Sequence, residues 1–172
     1  MSGTKVLILG GAASGKSEFA EETVCFLGSE WRYIATAHAL DDEMRTKVAR
    51  HAARRGAGWQ VIEAPLDLAP ELTSPDRRPI LFDCATMWLS NHMFAGSDLS
   101  RAQGALLDAI AACPAPVVTV TNEVGQGIVP ENALSRQFRE AQGRLNIALA
   151  QQADCVVQVI AGLPNVLKGS LP

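Results

Sequence analysis

Short apolar runs alternate with longer amphipathic segments along most of this chain. Six runs have the length and the β-branched content of strands: 5–9, 31–35, 59–63, 80–83, 117–121 and 155–161. Five segments between them have the spacing of amphipathic helices: 16–27, 41–53, 86–94, 100–112 and 134–151. The segment 71–79 contains proline, serine and aspartate, and we expect it to be a loop.

Most of the predicted strands are apolar throughout, which is typical of strands buried on both faces of a parallel sheet. The clearest helix is 134–151, whose apolar stripe is formed by Leu134, Phe138, Ala141, Leu145, Ala148 and Leu149. The pattern therefore predicts an α/β fold with a mostly parallel sheet and helices on both faces. Because no repeat or linker divides the chain, we expect one domain over residues 1–172, with the place of strand 59–63 in the sheet left open.

Composition narrows the class of protein. The 172 residues are 48% hydrophobic and 19% charged, with a net charge of −3, which excludes a disordered tail and argues against nucleic-acid binding through bulk positive charge. No apolar run approaches the roughly 20 residues of a membrane span, and the N-terminus does not resemble a signal peptide. Four scattered cysteines (Cys25, Cys84, Cys113 and Cys155) predict reduced, buried thiols in a cytoplasmic protein.

The sequence GGAASGKS at 10–17 fits the phosphate-binding pattern G-x-x-x-x-G-K-[ST]. It follows a predicted strand and opens a predicted helix, where glycines let backbone N–H groups face phosphate oxygens and the helix N-terminus attracts anions. Lys16 is expected to reach the β- and γ-phosphates and Ser17 to ligate Mg²⁺. Asp83, at the end of an apolar strand, is the expected second metal-side acid, and Glu123 is the alternative.

A basic segment surrounds one of three histidines, His51. Its cations are Arg45, Lys47, Arg50, Arg54 and Arg55. Such a run is most often a solvated surface, but a triphosphate site needs additional cations. Positive neighbours should lower the pKa of His51, and a neutral imidazole can attack phosphorus. His51 is therefore a candidate nucleophile for a covalent phospho- or nucleotidyl-histidine.

Seven segments, in order, resemble one known family, the bifunctional adenosylcobinamide kinase / adenosylcobinamide-phosphate guanylyltransferases of cobalamin biosynthesis. They are GGAASGKS (10–17), YIATA (33–37), DDEM (41–44), H-x-x-x-R (51–55), ILFDCATMWLSN (80–91), TNEVGQGIVPEN (121–132) and LSRQFREAQGRLN (134–146). Many families share the first segment, whereas the last two are much more specific.

The resemblance implies a P-loop fold like the recombinase core and two reactions. ATP or GTP would phosphorylate the aminopropanol hydroxyl of adenosylcobinamide. GTP would then transfer GMP to His51 with loss of pyrophosphate, and the new phosphate would take up the GMP to give adenosylcobinamide-GDP. The resemblance also implies a homotrimer, with sites that can form between subunits. Its nucleotide contacts would fall on Gly10, Gly11, Ala12, Ala13, Ser14, Gly15, Lys16, Ser17, Ala35, Thr36, Ala37, Arg54, Arg55, Gly56, Ala57, Glu63 and Asp83.

The chain departs from the usual family pattern at four positions. Ala13 stands where arginine is common, Gly56 where proline is common, Gln142 where a small residue is expected, and Ile147 where glutamine is common. Two other functions fit the residues: a small-molecule kinase in which His51 and the arginines form a lid, and a nucleotide-dependent switch.

Overall fold

A computed structural model describes residues 3–37 and 56–172. Its strands are β1 (Lys5–Gly10), β2 (Trp31–Ala35), β3 (Trp59–Glu63), β4 (Ile80–Asp83), β5 (Val117–Asn122), β6 (Cys155–Ile160) and β7 (Leu163–Lys168). Its helices are α1 (Lys16–Cys25), α2 (Ala69–Leu72), α3 (Ala85–Phe94), α4 (Leu99–Ala112) and α5 (Ala133–Gln152). The helix predicted at 41–53 lies outside the described residues.

One seven-stranded sheet has the order β3-β2-β4-β5-β1-β6-β7. The first six strands are parallel, and β7 pairs antiparallel with β6. The predicted mostly parallel sheet is confirmed, and β3 takes one edge. Because the parallel strands share a direction, their carboxyl ends line one edge, where α/β proteins bind ligands.

Helices cover both faces of the sheet, as predicted. Alternate residues of each strand face opposite sides, so Leu7 packs in the core beneath α2–α5 and Ile8 packs in the core beneath α1. Trp88 is the largest fully buried side chain, and its indole N–H donates to the Leu66 carbonyl at 2.8 Å. Within residues 3–37 and 56–172, no helix is long and apolar enough to cross a membrane.

The pattern of apolar residues did not predict the strand β7. Its segment, LPNVLK, is exposed at every position and contains Pro164, which cannot donate to a strand ladder and is tolerated at a sheet edge. Ala161 and Gly162 have φ values of 52° and 77° and turn the chain back after β6. A two-residue turn with positive φ at both positions matches the twist of a hairpin.

Three further expectations need correction. The predicted helix 16–27 ends at Cys25, and α2 occupies the start of the predicted loop 71–79, since Pro70 is well suited to a first helical turn. All four cysteines are free, but only Cys113 and Cys155 are buried. Cys25 is exposed because it closes α1 on its solvent side.

The long helix α5 extends beyond the carboxyl edge of the sheet. Its residues Gln142 and Asn146 are buried, and Gln142 Nε2 donates to Thr121 Oγ1 at 2.9 Å while Asn146 Nδ2 donates to the Asn122 carbonyl at 3.0 Å. Residues 133–141 precede this attachment and make up about 13 Å of helix. Leu134, the first residue of the predicted apolar stripe, is accordingly 49% exposed.

A buried arginine ties the segment after α2 to the sheet. Arg32 on β2 is 2% exposed, and it donates to the carbonyl oxygens of Glu71 and Asp76 at 3.0 Å and 3.2 Å. The Asp76 carboxylate accepts hydrogen bonds from Arg78, which lower its pKa from 3.8 to about 2. Ionised Asp76 therefore stabilises the folded chain.

We expect Asp76→Asn to lower the free energy of unfolding by on the order of 1 kcal/mol at about pH 6 and by less at about pH 3. The folded pKa of Asp76 lies below its unfolded value, so its contribution is complete above the unfolded pKa and disappears as the pH falls through the folded pKa. Urea unfolding of both proteins at the two pH values measures this, with the exposed Asp108→Asn as control. A difference that stays constant with pH would contradict the assignment.

Candidate active site

The carboxyl ends of the parallel strands bring distant segments of the sequence to one edge. Ala35 on β2 pairs with Glu63 on one side and with Asp83 on the other. Gly10 on β1 pairs with Asn122 on β5. With neighbouring strands about 4.8 Å apart, Asp83 lies about 10 Å, and Glu63 about 19 Å, along the edge from β1.

The phosphate-binding loop follows β1 directly. A Cβ on Gly10 would lie 2.5 Å from Ser14 Oγ and 2.7 Å from the Val159 carbonyl oxygen, so no larger residue fits there. Gly15 has a φ of 90°, which favours glycine, whereas a Cβ on Gly11 would meet nothing within 4 Å. Packing therefore determines the two ends of the loop, and its middle is open to a ligand.

The turn between β6 and β7 supports the same loop from the other side. The Gly162 N–H donates to the Ser14 carbonyl at 2.8 Å, and a Cβ on Gly15 would lie 3.0 Å from Gly162 Cα. Sequence reasoning missed this contact because it ended the last strand at residue 161. A glycine between two apolar runs was the available signal of the hairpin.

Lys16 and Ser17 open α1, as predicted. The Lys16 Nζ donates to the Gly11 carbonyl at 3.0 Å, which places the ammonium group over the loop. The first amide groups of a helix have no carbonyl partner within the helix and attract anions. Loop amides, helix terminus and ammonium group together form a cradle for phosphate groups.

Asp83 is held by a tyrosine from the neighbouring strand. The Tyr33 hydroxyl group donates to Asp83 Oδ2 at 3.1 Å, and Tyr33 itself is buried in the core beneath α1. Cys84 is half-buried by its exposed area, but its thiol is shielded from water, and this desolvation together with the Asp83 charge raises the pKa of the thiol to about 12. Cys84 is therefore a protonated thiol at neutral pH and no nucleophile, and Asp83 is the acid that this part of the edge presents.

Thr36 links the ends of β2 and β4. Its buried hydroxyl group donates to the Cys84 carbonyl and accepts from the Cys84 N–H, both at 2.8 Å. Asn91, which sequence reasoning did not single out, donates to the carbonyl oxygens of Thr36 and Pro65 at 2.8 Å and 2.9 Å. Thr36 was predicted as a nucleotide contact, and here its side chain shapes the edge.

The segment 121–132 lies beside the phosphate-binding loop. The Glu123 N–H donates to the Gly10 carbonyl at 3.0 Å. Arg139 on α5 donates to the carbonyl oxygens of Gly125 and Ile128, and Arg136 donates to that of Pro130 at 2.9 Å. These contacts give the segments TNEVGQGIVPEN and LSRQFREAQGRLN a common role, since the helix arginines hold the preceding loop in place.

Several predicted site residues stand apart from the loop or lie outside the described ranges. Glu63 is exposed at the carboxyl end of β3, whereas the exposed Gly56 and Ala57 precede Trp59 at the amino end of that strand, on the opposite edge of the sheet. The predicted nucleophile His51 and its neighbours Arg54 and Arg55 lie outside the described residues.

The chain matches the family model described as cobinamide kinase / cobinamide phosphate guanyltransferase over residues 6–167. It is 44% identical over 168 residues to the bifunctional adenosylcobalamin biosynthesis protein CobP of Pseudomonas aeruginosa, covering 95% of this chain and 96% of that one. It is 40% identical over 181 residues to the bifunctional adenosylcobalamin biosynthesis protein CobU of Salmonella typhimurium, covering 95% and 99%.

Among solved structures, a RadB recombinase superposes with a TM-score of 0.47 and 16% identity, covering 91% of this chain and 74% of that one. Strand order and the phosphate-binding loop give the P-loop NTPase-like fold independently of that superposition. The family match spans almost the whole chain and includes every segment that builds the edge. By its sequence, the chain belongs to the cobinamide kinase / cobinamide phosphate guanyltransferase family.

Proposed function

We propose that this chain carries out two successive transfers at one nucleotide site. It phosphorylates the aminopropanol hydroxyl of adenosylcobinamide with ATP or GTP, and it then transfers GMP from GTP to that phosphate, giving adenosylcobinamide-GDP and pyrophosphate. The observation that carries the proposal is the complete phosphate cradle at residues 10–17 with the Tyr33-held Asp83 on the same edge, in a chain of this family.

In the first transfer, the acceptor oxygen attacks the γ-phosphorus while the bond to the β–γ bridging oxygen breaks. Negative charge grows on the leaving diphosphate, and the loop amides and Lys16 are already oriented to stabilise it. Mg²⁺ bound by Ser17, Asp83 and phosphate oxygens would neutralise part of that charge. Catalysis is thus mostly positioning and electrostatic stabilisation by groups that need little rearrangement.

In the second transfer, His51 attacks the α-phosphorus of GTP and pyrophosphate leaves. The phosphate of adenosylcobinamide phosphate then attacks the phosphorus of guanylyl-His51, forms the new P–O–P linkage and releases the imidazole. Arg54 and Arg55 would neutralise the charge of both transition states. Two displacements through histidine replace one direct transfer between two anions.

The length of the edge suggests how a nucleotide lies on it. The phosphate cradle is at β1 and the exposed Glu63 is about 19 Å away at β3, with Ala35–Ala37 between them. We propose that the nucleoside extends along the edge toward Glu63, whose carboxylate accepts hydrogen bonds from hydroxyl or base N–H groups. Gly56 and Ala57, at the amino end of β3, lie away from this path, so the predicted nucleotide contacts at these two residues are not part of the proposal.

The setting of the enzyme is part of the proposal. We infer a cytoplasmic homotrimer in which residues 1–172 of each subunit form one domain. The substrates are small molecules, and no nucleic-acid partner is involved. These statements rest on the family relationship and on the composition of the chain.

Exposure to [α-³²P]GTP is expected to leave label on the protein, since GMP becomes bonded to His51. The bond should be acid-labile and base-stable, as a phosphoramidate is, and intact mass should increase by one GMP. His51→Asn should abolish labelling and retain phosphorylation of adenosylcobinamide. His92→Asn, in a helix beside Trp88, is the control and should label normally.

The γ-phosphate kinase is the alternative that this experiment tests. Such an enzyme would convert GTP to GDP alone, whereas the proposed function yields GDP and pyrophosphate. Unlabelled wild-type protein under conditions in which GTP is consumed would exclude the histidine intermediate.

Removing the Tyr33 hydroxyl group should weaken the binding of Mg²⁺ by Asp83. In Tyr33→Phe the Asp83 carboxylate loses the donor at Oδ2, so we expect half-maximal phosphorylation to need roughly threefold to tenfold more Mg²⁺, with the rate at saturating Mg²⁺ nearly retained. Turnover measured against Mg²⁺ concentration gives the answer. Trp59→Phe, which changes a ring beside Tyr33 and keeps the hydroxyl group, is the control. Equal shifts in both variants would mean that packing, and not the hydrogen bond, supports Asp83.

A further inference from the structure

Glu123 is an acid placed where a phosphate site would ordinarily avoid one. Its backbone is bonded to Gly10, and its side chain lines a cleft of about 390 Å³ together with Gln126 and loop residues 11–14. A carboxylate beside bound phosphates costs electrostatic energy unless a cation or a hydrogen-bond donor lies between them. Its presence calls for a partner in the occupied site.

The described residues supply one hydrogen-bond donor to the Glu123 carboxylate. Glu123 Oε1 accepts a hydrogen bond from the Gly125 N–H. Within residues 3–37 and 56–172, the structure shows Glu123 in no ion pair. Arg139 is bonded to the Gly125 carbonyl on the same turn, so the carboxylate is held by a supported backbone. The other carboxylate oxygen, Oε2, can therefore accept a hydrogen bond from a ligand in the cleft.

Strand register separates Glu123 from Asp83. Asp83 on β4 pairs with Val120 on β5. Glu123 comes three residues after Val120, which is about 10 Å of extended chain beyond Asp83. Asp83 is held by Tyr33 on the β2 side, whereas Glu123 faces the cleft on the loop side. The two acids occupy different places, and they need not share a metal ion.

We propose that Glu123 is the general base of the phosphorylation step, an inference that rests on the proposed kinase function. Its carboxylate takes the proton from the acceptor hydroxyl as that oxygen forms its bond to the γ-phosphorus. The bond from the γ-phosphorus to the β–γ bridging oxygen breaks, and the nucleoside diphosphate leaves with the electron pair. Protonated Glu123 then releases its proton to solvent.

The same chemistry predicts that the second transfer does not need Glu123. There the acceptor is a phosphate that is already ionised and has no proton to lose. A general base assists only a nucleophile that must lose a proton, as the hydroxyl group of the first transfer must. Loss of the carboxylate should thus divide the two activities, which loss of the phosphate-binding loop would not do.

Glu123→Gln is the decisive variant because its amide oxygen can still accept the Gly125 N–H and keep the turn. At saturating ATP and Mg²⁺ we expect phosphorylation of adenosylcobinamide to fall about 100-fold or more in kcat, with the KM for ATP changed less than about threefold. Transfer of GMP from GTP to preformed adenosylcobinamide phosphate should stay within about threefold of wild type. Glu131→Gln, on the same segment and exposed, should leave both activities unchanged.

Three results would overturn the assignment. Recovery of phosphorylation at high Mg²⁺ would make Glu123 a metal ligand, and an equal fall in both activities would make it a support of the loop. Unchanged phosphorylation would remove it from the chemistry. Because the two activities are assayed separately, a wild-type protein that phosphorylates without transferring GMP would count against the proposed second transfer and leave the test of Glu123 intact.

Discussion

The crowding at the end of β1 is the constraint on which the site depends. The loop turns so sharply after β1 that Gly10 lies against both Ser14 and the Val159 carbonyl, and the next turn of the chain is held by the Gly162 N–H. A phosphate cradle needs several amide groups directed at one point. A flexible backbone would lose conformational entropy when a nucleotide orders it. Packing from two sides removes that cost before a nucleotide binds.

Side-chain hydrogen bonds connect the remaining strand ends in a similar way. The Thr36 hydroxyl group joins β2 to the Cys84 backbone, the Tyr33 hydroxyl group holds Asp83, and Asn91 closes the edge toward Pro65. Each bond is made by a side chain that is buried or half-buried, where competition from water is weak. The edge is thus a connected structure, and Asp83 is held in place by the neighbouring strand β2.

The loop after β5 depends on α5 for its position. Gln142 and Asn146 attach the helix to the end of β5 through a buried polar network, and Arg139 reaches from the projecting half of the helix to the loop carbonyls. Gln142 differs from the small residue expected in this family, and its buried amide group contributes two hydrogen bonds to that network. Two segments that are adjacent in sequence therefore act as one unit beside the phosphate cradle.

Local patterns in the sequence determined the phosphate-binding loop, the strands of the parallel sheet, and the helices on its faces, because each rests on a short period of apolar residues or on glycine at fixed spacing. They could not determine the edge position of β3, the existence of β7 with its proline, or the exposure of Cys25. Only the tertiary structure separated Asp83 from Glu123 and gave Thr36, Asn91 and Gly162 their supporting roles. Those properties depend on strand register and on contacts between residues far apart in the chain, which no local spacing records.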